Sequence, residues 1–305
     1  MNPIVIKFGG YQKPASIHNR AAELFGRILK ENLGNRISFQ LIGNVLDLGR
    51  GSGDLPRMVE SGELSCCYIS SVRFANPVPE FKLLELPFVV KDRGRIHSAL
   101  DGGLGELLRR RMLDNTACRV LGFWDNGFRH ISNRVRPIRK PEDCRGLRIR
   151  TQMSELHGEV FRMLGFEPIP ADVREFVEEI AGSTFDAQDN PLTNIVNFGV
   201  HHHHRYITLT GHFFGATVML CNDEHYRSWP PDVQAAVDAA AREATALQRR
   251  LAAAEDAEML ARFDPHENEI IQLTDAEHAA FVNAVEPVFA KYRKIMEPKL
   301  FAYLE

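Results

Sequence analysis

The stretch "CRVLGFWDNGFRHISN" (residues 118–133) is extended throughout and long enough to pass from one domain into another. A second such stretch, "RYITLTGHFFGATVMLCN" (205–222), is able to carry the chain back. Before the first crossing, strands and helices alternate. "IVIKFGG" (4–10), "RISFQLIG" (36–43) and "LSCCYIS" (64–70) read as strands. Ser16 fits as the N-cap of a helix burying Ala21, Leu24, Phe25 and Ile28, and a short helix over 54–61 tolerates Pro56 in its first turn. That order implies a parallel sheet with helices on both faces. A helical stretch around 93–113 leads into the crossing. Beyond it, strands at 146–150, 167–170 and 184–188 alternate with helices at 153–164, 172–181 and from about 191. From Pro230 an Ala-, Glu-, Arg- and Leu-rich run reads as one long helix, and a last helix covers roughly 275–303. Two α/β lobes, two long hinge-crossing strands and a long bracing C-terminal helix predict an α/β clamshell. Ligands of such folds bind where strand ends from both lobes meet.

The 305 residues suffice for two medium domains and a substantial core. With 44% hydrophobic and 25% charged residues the chain is of soluble globular type. A net charge of −3 gives no reason to expect nucleic acid as a partner. No apolar run approaches the ~20 residues needed to cross a bilayer. The opening "MNPIVIKFGG" runs straight into a strand with no secretory leader, so the expectation is either a cytosolic protein or a mature chain whose export signal has been removed. Cys66, Cys67, Cys118, Cys144 and Cys221 form no C-x-x-C pair, and the adjacent two would strain a disulfide ring. Buried thiols are expected, with no disulfide framework, no metal site and no cofactor.

The tract "HHHH" (201–204) cannot turn four imidazoles on one ion from regular structure, and it reads as a solvated loop or helix end before the strand at Tyr206. No G-x-S-x-G elbow, H-E-x-x-H helix or Cys/His signature is present, and "GRGSGD" (49–54) lacks the phosphate-loop ending. What remains is a polar set at strand ends and crossings. It comprises Asn126 and Arg129 in "DNGFRH", Arg150 ending "GLRIR", and Gln188, Asp189 and Asn190 in "FDAQDNP". Arg148 and Arg150 alternate with Leu147 and Ile149, so both leave one face of their strand. Arg150 ends the strand and is expected to point into the crevice, where an arginine fork satisfies both oxygens of a carboxylate. Arg148 is expected at the solvent side, near the acidic "PED" (141–143).

"IRKPEDCRGLRIR", "LGFEPIPADVREF", "FDAQDNPL" and "TLTGHFFG…LCN…WPPDVQAAVDAAAREA" resemble the solute-binding proteins of TRAP transporters, the DctP-type family, over nearly the whole chain. The resemblance implies a periplasmic binding protein that captures a small organic acid by hinge closure and delivers it to the transporter's membrane subunits. It implies a monomer, no enzyme activity, and an export signal lost from the mature chain. Lobe I would comprise 1–125 with about 213–250, and lobe II 126–212 with about 251–305. Arg150 takes the position of the family's carboxylate-binding arginine and Arg129 that of an assisting one. Asn190 matches the asparagine of the "DGQENP"-like turn, with Asp189 in its acidic position and Gln188 before it. Family pockets also draw on the positions of Tyr11, Ser70, Ser71, Asp172 and Val173. Ser70 stands where sialic-acid-binding members carry an acid, which argues against that ligand. The lead-in "PADVRE" suggests a more polar wall near Asp172. Tyr11, Tyr68, Trp124, Phe213 and Phe214 would line a flatter pocket favouring a compact or aromatic carboxylate, with His212 beside them. Two other readings stay open from the residues alone: an enzyme using His130, His157 or His212, and a cytosolic ligand-sensing module.

Overall fold

A computed structural model describes residues 2–304. The first strands and helices are β1 (Ile4–Gly9), α1 (Ile17–Leu33), β2 (Ile37–Ile42), α2 (Leu55–Glu60), β3 (Cys66–Ser70), α3 (Arg93–Asp101), α4 (Gly103–Asn115) and β4 (Cys118–Asn133). There follow β5 (Arg148–Thr151), α5 (Glu155–Met163), β6 (Glu167–Pro170), α6 (Val173–Glu179), β7 (Ala187–Pro191), α7 (Leu192–Asn197) and β8 (Tyr206–Asn222). The chain ends through α8 (Asp223–Ser228), α9 (Pro231–Leu260), β9 (Glu269–Ile271), α10 (Asp275–Ile295) and α11 (Pro298–Phe301). It divides into two compact units. One is Met1–Val78, Leu100–Asp125 and Ala216–Ala254; the other is Pro79–Ala99, Asn126–Gly215 and Glu255–Glu305. β4, β8 and α9 each contribute residues to both.

In the first unit β1 runs parallel to β2 on one side and β3 on the other, and β3 lies antiparallel to β8 from Cys66 opposite Cys221 to Ser70 opposite Thr217. Helix α1 is capped by Ser16, whose Oγ accepts from the Asn19 N–H at 3.2 Å. Its closeness to β2 depends on Gly26, where a Cβ would fall 2.1 Å from the Phe39 ring. The buried face of α9 carries Val233, Val237, Ala240, Ala241 and Ala244. Its next turn grips three consecutive residues of β4. Arg249 Nε donates to Phe123 O at 3.0 Å, Trp124 Nε1 donates to Thr245 Oγ1 at 3.0 Å, and the Gln248 amide both accepts from Asp125 N (2.8 Å) and donates to Asp125 O (2.5 Å). Gln248 thereby replaces a neighbouring strand for a backbone that must be satisfied in the interior.

In the second unit β7 lies between β4, to which it is antiparallel, and β5, to which it is parallel, with β6 parallel to β5 on the outside. β9 pairs in parallel with the first residues of β8. Phe176, Phe185, Ile195, Ile207, Met259 and Phe263 pack together as the core under this sheet.

Three departures from the sequence reading have local causes. The helical stretch at 93–113 is two helices, broken at Gly102, and the terminal one ends at Ile295 because Pro298 starts a separate short turn of helix. The strand expected at 184–188 is displaced to 187–191, where Ala187 comes into register with Ile149 and Asn133. Residues Pro79–Ala99 group with the second unit rather than with the rest of 1–125. Their first turn, Pro79–Glu85, packs on α5 and α11, and Ser154 at the head of α5 hydrogen-bonds Glu85.

Candidate functional site

All five residues of β7, "AQDNP", are buried, an unusual setting for a sequence so polar. Each polar side chain is accounted for by a partner within the second unit. Arg129, 2% exposed, donates from Nε to Asp189 Oδ2 and from Nη2 to the Asp189 carbonyl, both at 2.5 Å. Burial would raise the Asp189 carboxyl, but the Arg129 charge and the His212 and Arg129 hydrogen-bonding groups outweigh it and hold Asp189 well below the usual carboxylate range. His212 Nε2 stands 3.4 Å from Asp189 Oδ2, and burial keeps this imidazole less basic than usual.

Beside that pair runs a chain of amides. Asn194 Nδ2 donates to Asn190 Oδ1 (3.2 Å), Asn190 Nδ2 to Gln188 Oε1 (2.5 Å), and Gln188 Nε2 to Ser132 Oγ (2.6 Å). Ser132 Oγ lies 3.0 Å from His204 Nδ1. The chain fixes which end of the Asn190 amide donates. His204 is therefore not part of a solvated tract. It is buried and bonded, whereas His202 and His203 are exposed.

The two arginines of β5 have different surroundings. Arg148 is 41% exposed at its side chain and clasps Asp186 through Nε–Oδ2 (2.9 Å) and Nη2–Oδ1 (2.8 Å). Its acid is Asp186, not the "PED" turn, because the strand sets Arg148 beside the residue that leads into β7. Arg150 is 2% exposed, donates from Nε (3.0 Å) and Nη2 (2.7 Å) to Ala171 O, and lies over the Phe176 ring at 5.2 Å. Removing an ion pair that is largely in water costs about 1 kcal/mol or less. Arg148→Ala is thus expected to leave ligand affinity within about threefold, as isothermal titration calorimetry would read.

The remaining candidates fall in different surroundings. Asn126 is buried at the first β4 residue of the second unit. Phe214 packs edge-on to Phe128 at 5.5 Å. Asp172 is the N-cap of α6: it accepts from Arg174 N at 3.1 Å, and Glu175 closes the capping box back to Asp172 N. Val173, half-buried, follows it. Tyr11, Ser70, Ser71 and Trp124 belong to the first unit. Tyr11 and Trp124 are buried there, their rings 5.5 and 5.6 Å from Tyr68, and Tyr68 Oη donates to Asn19 Oδ1. Ser70 ends β3 half-buried and Ser71 is buried in the turn after it.

His157 enters the second-unit cluster from α5. It is stacked on Phe213 at 4.1 Å with 11° between planes. Burial lowers its pKa to about 3; Asp189 opposes that shift, while Arg129, His212 and Arg150 reinforce it, so all four lie within electrostatic reach of the ring. Sequence reading reached His157 only through the enzyme alternative and missed Glu85 altogether. The signal was there: "FKLLELP" (81–87) sets one acid among leucines. Burial pushes the Glu85 carboxyl up to about 8, against the Ser154 hydrogen bond and Lys82. Among the described residues, no three His, Cys, Asp or Glu side chains gather as a metal site.

A family model described as bacterial extracellular solute-binding protein, family 7 (DctP) matches residues 8–295, and the chain belongs to that family. A solute-binding protein from Verminephrobacter eiseniae is 30% identical over 275 residues, covering 90% of this chain and 80% of its own. The 2,3-diketo-L-gulonate-binding periplasmic protein YiaO of Escherichia coli is 27% identical, covering 92% of this chain and 84% of its own. Among solved structures, a TRAP periplasmic solute-binding protein from Bordetella bronchispeptica, with density interpreted as pantoate, superposes with a TM-score of 0.92 at 25% identity, covering 99% of this chain and 98% of its own. No helix among the described residues is long and apolar enough to cross a membrane.

Proposed function

We propose that this protein is the periplasmic receptor of a TRAP transporter, that it binds a small organic acid through Arg150, and that it passes the acid unchanged to the transporter's membrane subunits. The observation that carries the reading is a buried arginine, Arg150, near the end of β5 together with a second, Arg129, locked to Asp189, both within electrostatic reach of His157. An arginine held in the interior recognises a carboxylate bidentately at a strength that an exposed one does not reach. Arg129, fixed by Asp189, supplies a second positive edge, and Asn190 a donor whose direction the amide chain sets. Asn126, Phe214 and His212 complete the wall in the second unit. Two of the similar proteins are described with ligands, 2,3-diketo-L-gulonate and pantoate, and both of these are carboxylates.

The test is a thermal-shift screen against carboxylic acids, followed by recovery of the bound acid. An acid present at about a thousand times its Kd is expected to raise the melting temperature by roughly 5 °C or more. Mass spectrometry of the acid after prolonged incubation is expected to return it unaltered. Conversion of the acid to another compound, or stabilisation only by uncharged analogues, would overturn the proposal.

A further inference from the structure

Glu85 and His157 meet at the head of α5. Glu85 Oε2 accepts from Ser154 Oγ at 3.0 Å, and the same Ser154 oxygen accepts from the His157 N–H at 3.3 Å, so the Ser154 proton is committed to the acid. Glu85 is 4% and His157 2% exposed. Glu85 Oε1 and both ring nitrogens of His157 have no hydrogen-bond partner. The His157 Nε2 to Glu85 Oε2 separation, 3.8 Å, is too long for one. The large majority of buried side-chain polar atoms find a partner, and three unpaired at one spot beside the arginine site are what a polar group from outside the chain would satisfy. One face of the imidazole is closed by Phe213, which also lies 4.7 Å from the His212 ring. The cluster is thus continuous with the arginine site.

We infer that Glu85 and His157 are the hydroxyl-recognising part of that site, so that the ligand is a hydroxylated monocarboxylate. The inference rests on the reading of Arg150 as the carboxylate anchor. Burial leaves Glu85 largely protonated near neutral pH and His157 unprotonated, so the pair presents one O–H donor and an imidazole with one donor and one acceptor nitrogen. A hydroxyl matches both roles and meets two of the three atoms, accepting from the acid and donating to one ring nitrogen. A second carboxylate has no proton to give and would stand beside an acid that burial already keeps from ionising. A methylene leaves all three atoms unmet, and sites built for a polar group reject analogues that lack it.

The experiment compares matched acids by calorimetry on the full chain: glycerate with propionate, erythronate with butyrate, and succinate as the dicarboxylate. The wild-type protein is expected to bind the hydroxylated member at least about thirtyfold more tightly than its deoxy partner and than succinate. His157→Phe, which preserves the stack on Phe213, is expected to reduce that preference to about threefold while changing the deoxy acids' affinity little. Glu85→Leu is expected to do the same, and Glu85→Gln, which retains a donor, to keep the preference. Melting temperatures of the three variants separate lost recognition from lost folding. Acids that bind without preference for the hydroxyl, or a preference that survives in both His157→Phe and Glu85→Leu, overturn this inference and leave the carboxylate reading standing. Failure of every acid to bind overturns both.

Discussion

Replacing Arg150 by alanine is expected to weaken binding of the organic acid at least a hundredfold while the protein remains folded. Leaving one member of a buried charge pair without its partner costs roughly 3–5 kcal/mol, which corresponds to about two to nearly four orders of magnitude in Kd. The same substitution has a structural cost, because Arg150 Nε and Nη2 both donate to Ala171 O, the carbonyl immediately before the N-cap of α6. One unsatisfied carbonyl is worth about 1–3 kcal/mol, less than the whole stability of a domain. Calorimetry therefore has to be read beside the melting temperature. A fall of a few degrees with binding abolished fits the assignment. A folded variant with near-normal affinity removes Arg150 from the site. Arg150→Lys sharpens the reading: it keeps the charge and loses the fork, so an affinity between those of the wild type and Arg150→Ala is expected.

Most of the architecture could be read from the chain because its signals are long and local. The two extended crossings, the Ser16 cap and the alanine-rich α9 each depend on neighbours within a few residues. Burial of the polar strand "AQDNP" could not be read that way. It follows from partners about sixty residues away, as between Asp189 and Arg129, or more than fifty, as between Gln188 and Ser132. Alternation placed Arg148 and Arg150 on one face and could not tell their surroundings apart; the Asp186 clasp and the Ala171 carbonyl do. His204 illustrates the limit. Four identical residues gave no hint that the last turns inward to Ser132 while its two predecessors face water. Pro79–Ala99 shows the converse error, a segment assigned by its place in the chain when its apolar side chains and Glu85 decide where it packs.

Acidification is expected to unfold the protein steeply below about pH 4.5, and the buried histidines are the cause. Burial lowers His18 to about 4 and His130, His157 and His204 to about 3. Between their ordinary value of 6.5 and these figures, the unfolded chain binds protons that the folded chain refuses, so stability is lost as pH falls. Each group contributes a slope of at most about 1.4 kcal/mol per pH unit. Glu85 and Glu255 act in the opposite sense. Burial raises them to about 8 and about 7, so the folded state gains on the unfolded one as pH drops toward 4.5. Two of the four histidine slopes are thereby offset above that point, leaving a net loss of about 3 kcal/mol between pH 6 and 5. Below about pH 4.5 the glutamates progressively cease to offset the histidines, while His18 and then the other three begin to protonate in the folded state, so the slope stays at about 4 kcal/mol per unit down to about pH 3.5; with the loss already incurred this exhausts the lower part of a typical stability of ~5–15 kcal/mol. Urea unfolding followed by circular dichroism at pH 7, 6, 5 and 4.5 measures this curve. His18→Phe is the discriminating variant. Its Nε2 has no hydrogen-bond partner and its ring stacks on Tyr68 at 5.1 Å, so phenylalanine keeps the packing and removes one titrating group. The variant should lose about 1 kcal/mol less than the wild type between pH 6 and 5. A wild-type curve flat from pH 7 to 4.5, or a slope unchanged in His18→Phe, would mean that these imidazoles are protonated in the folded protein and that acid does not act through them.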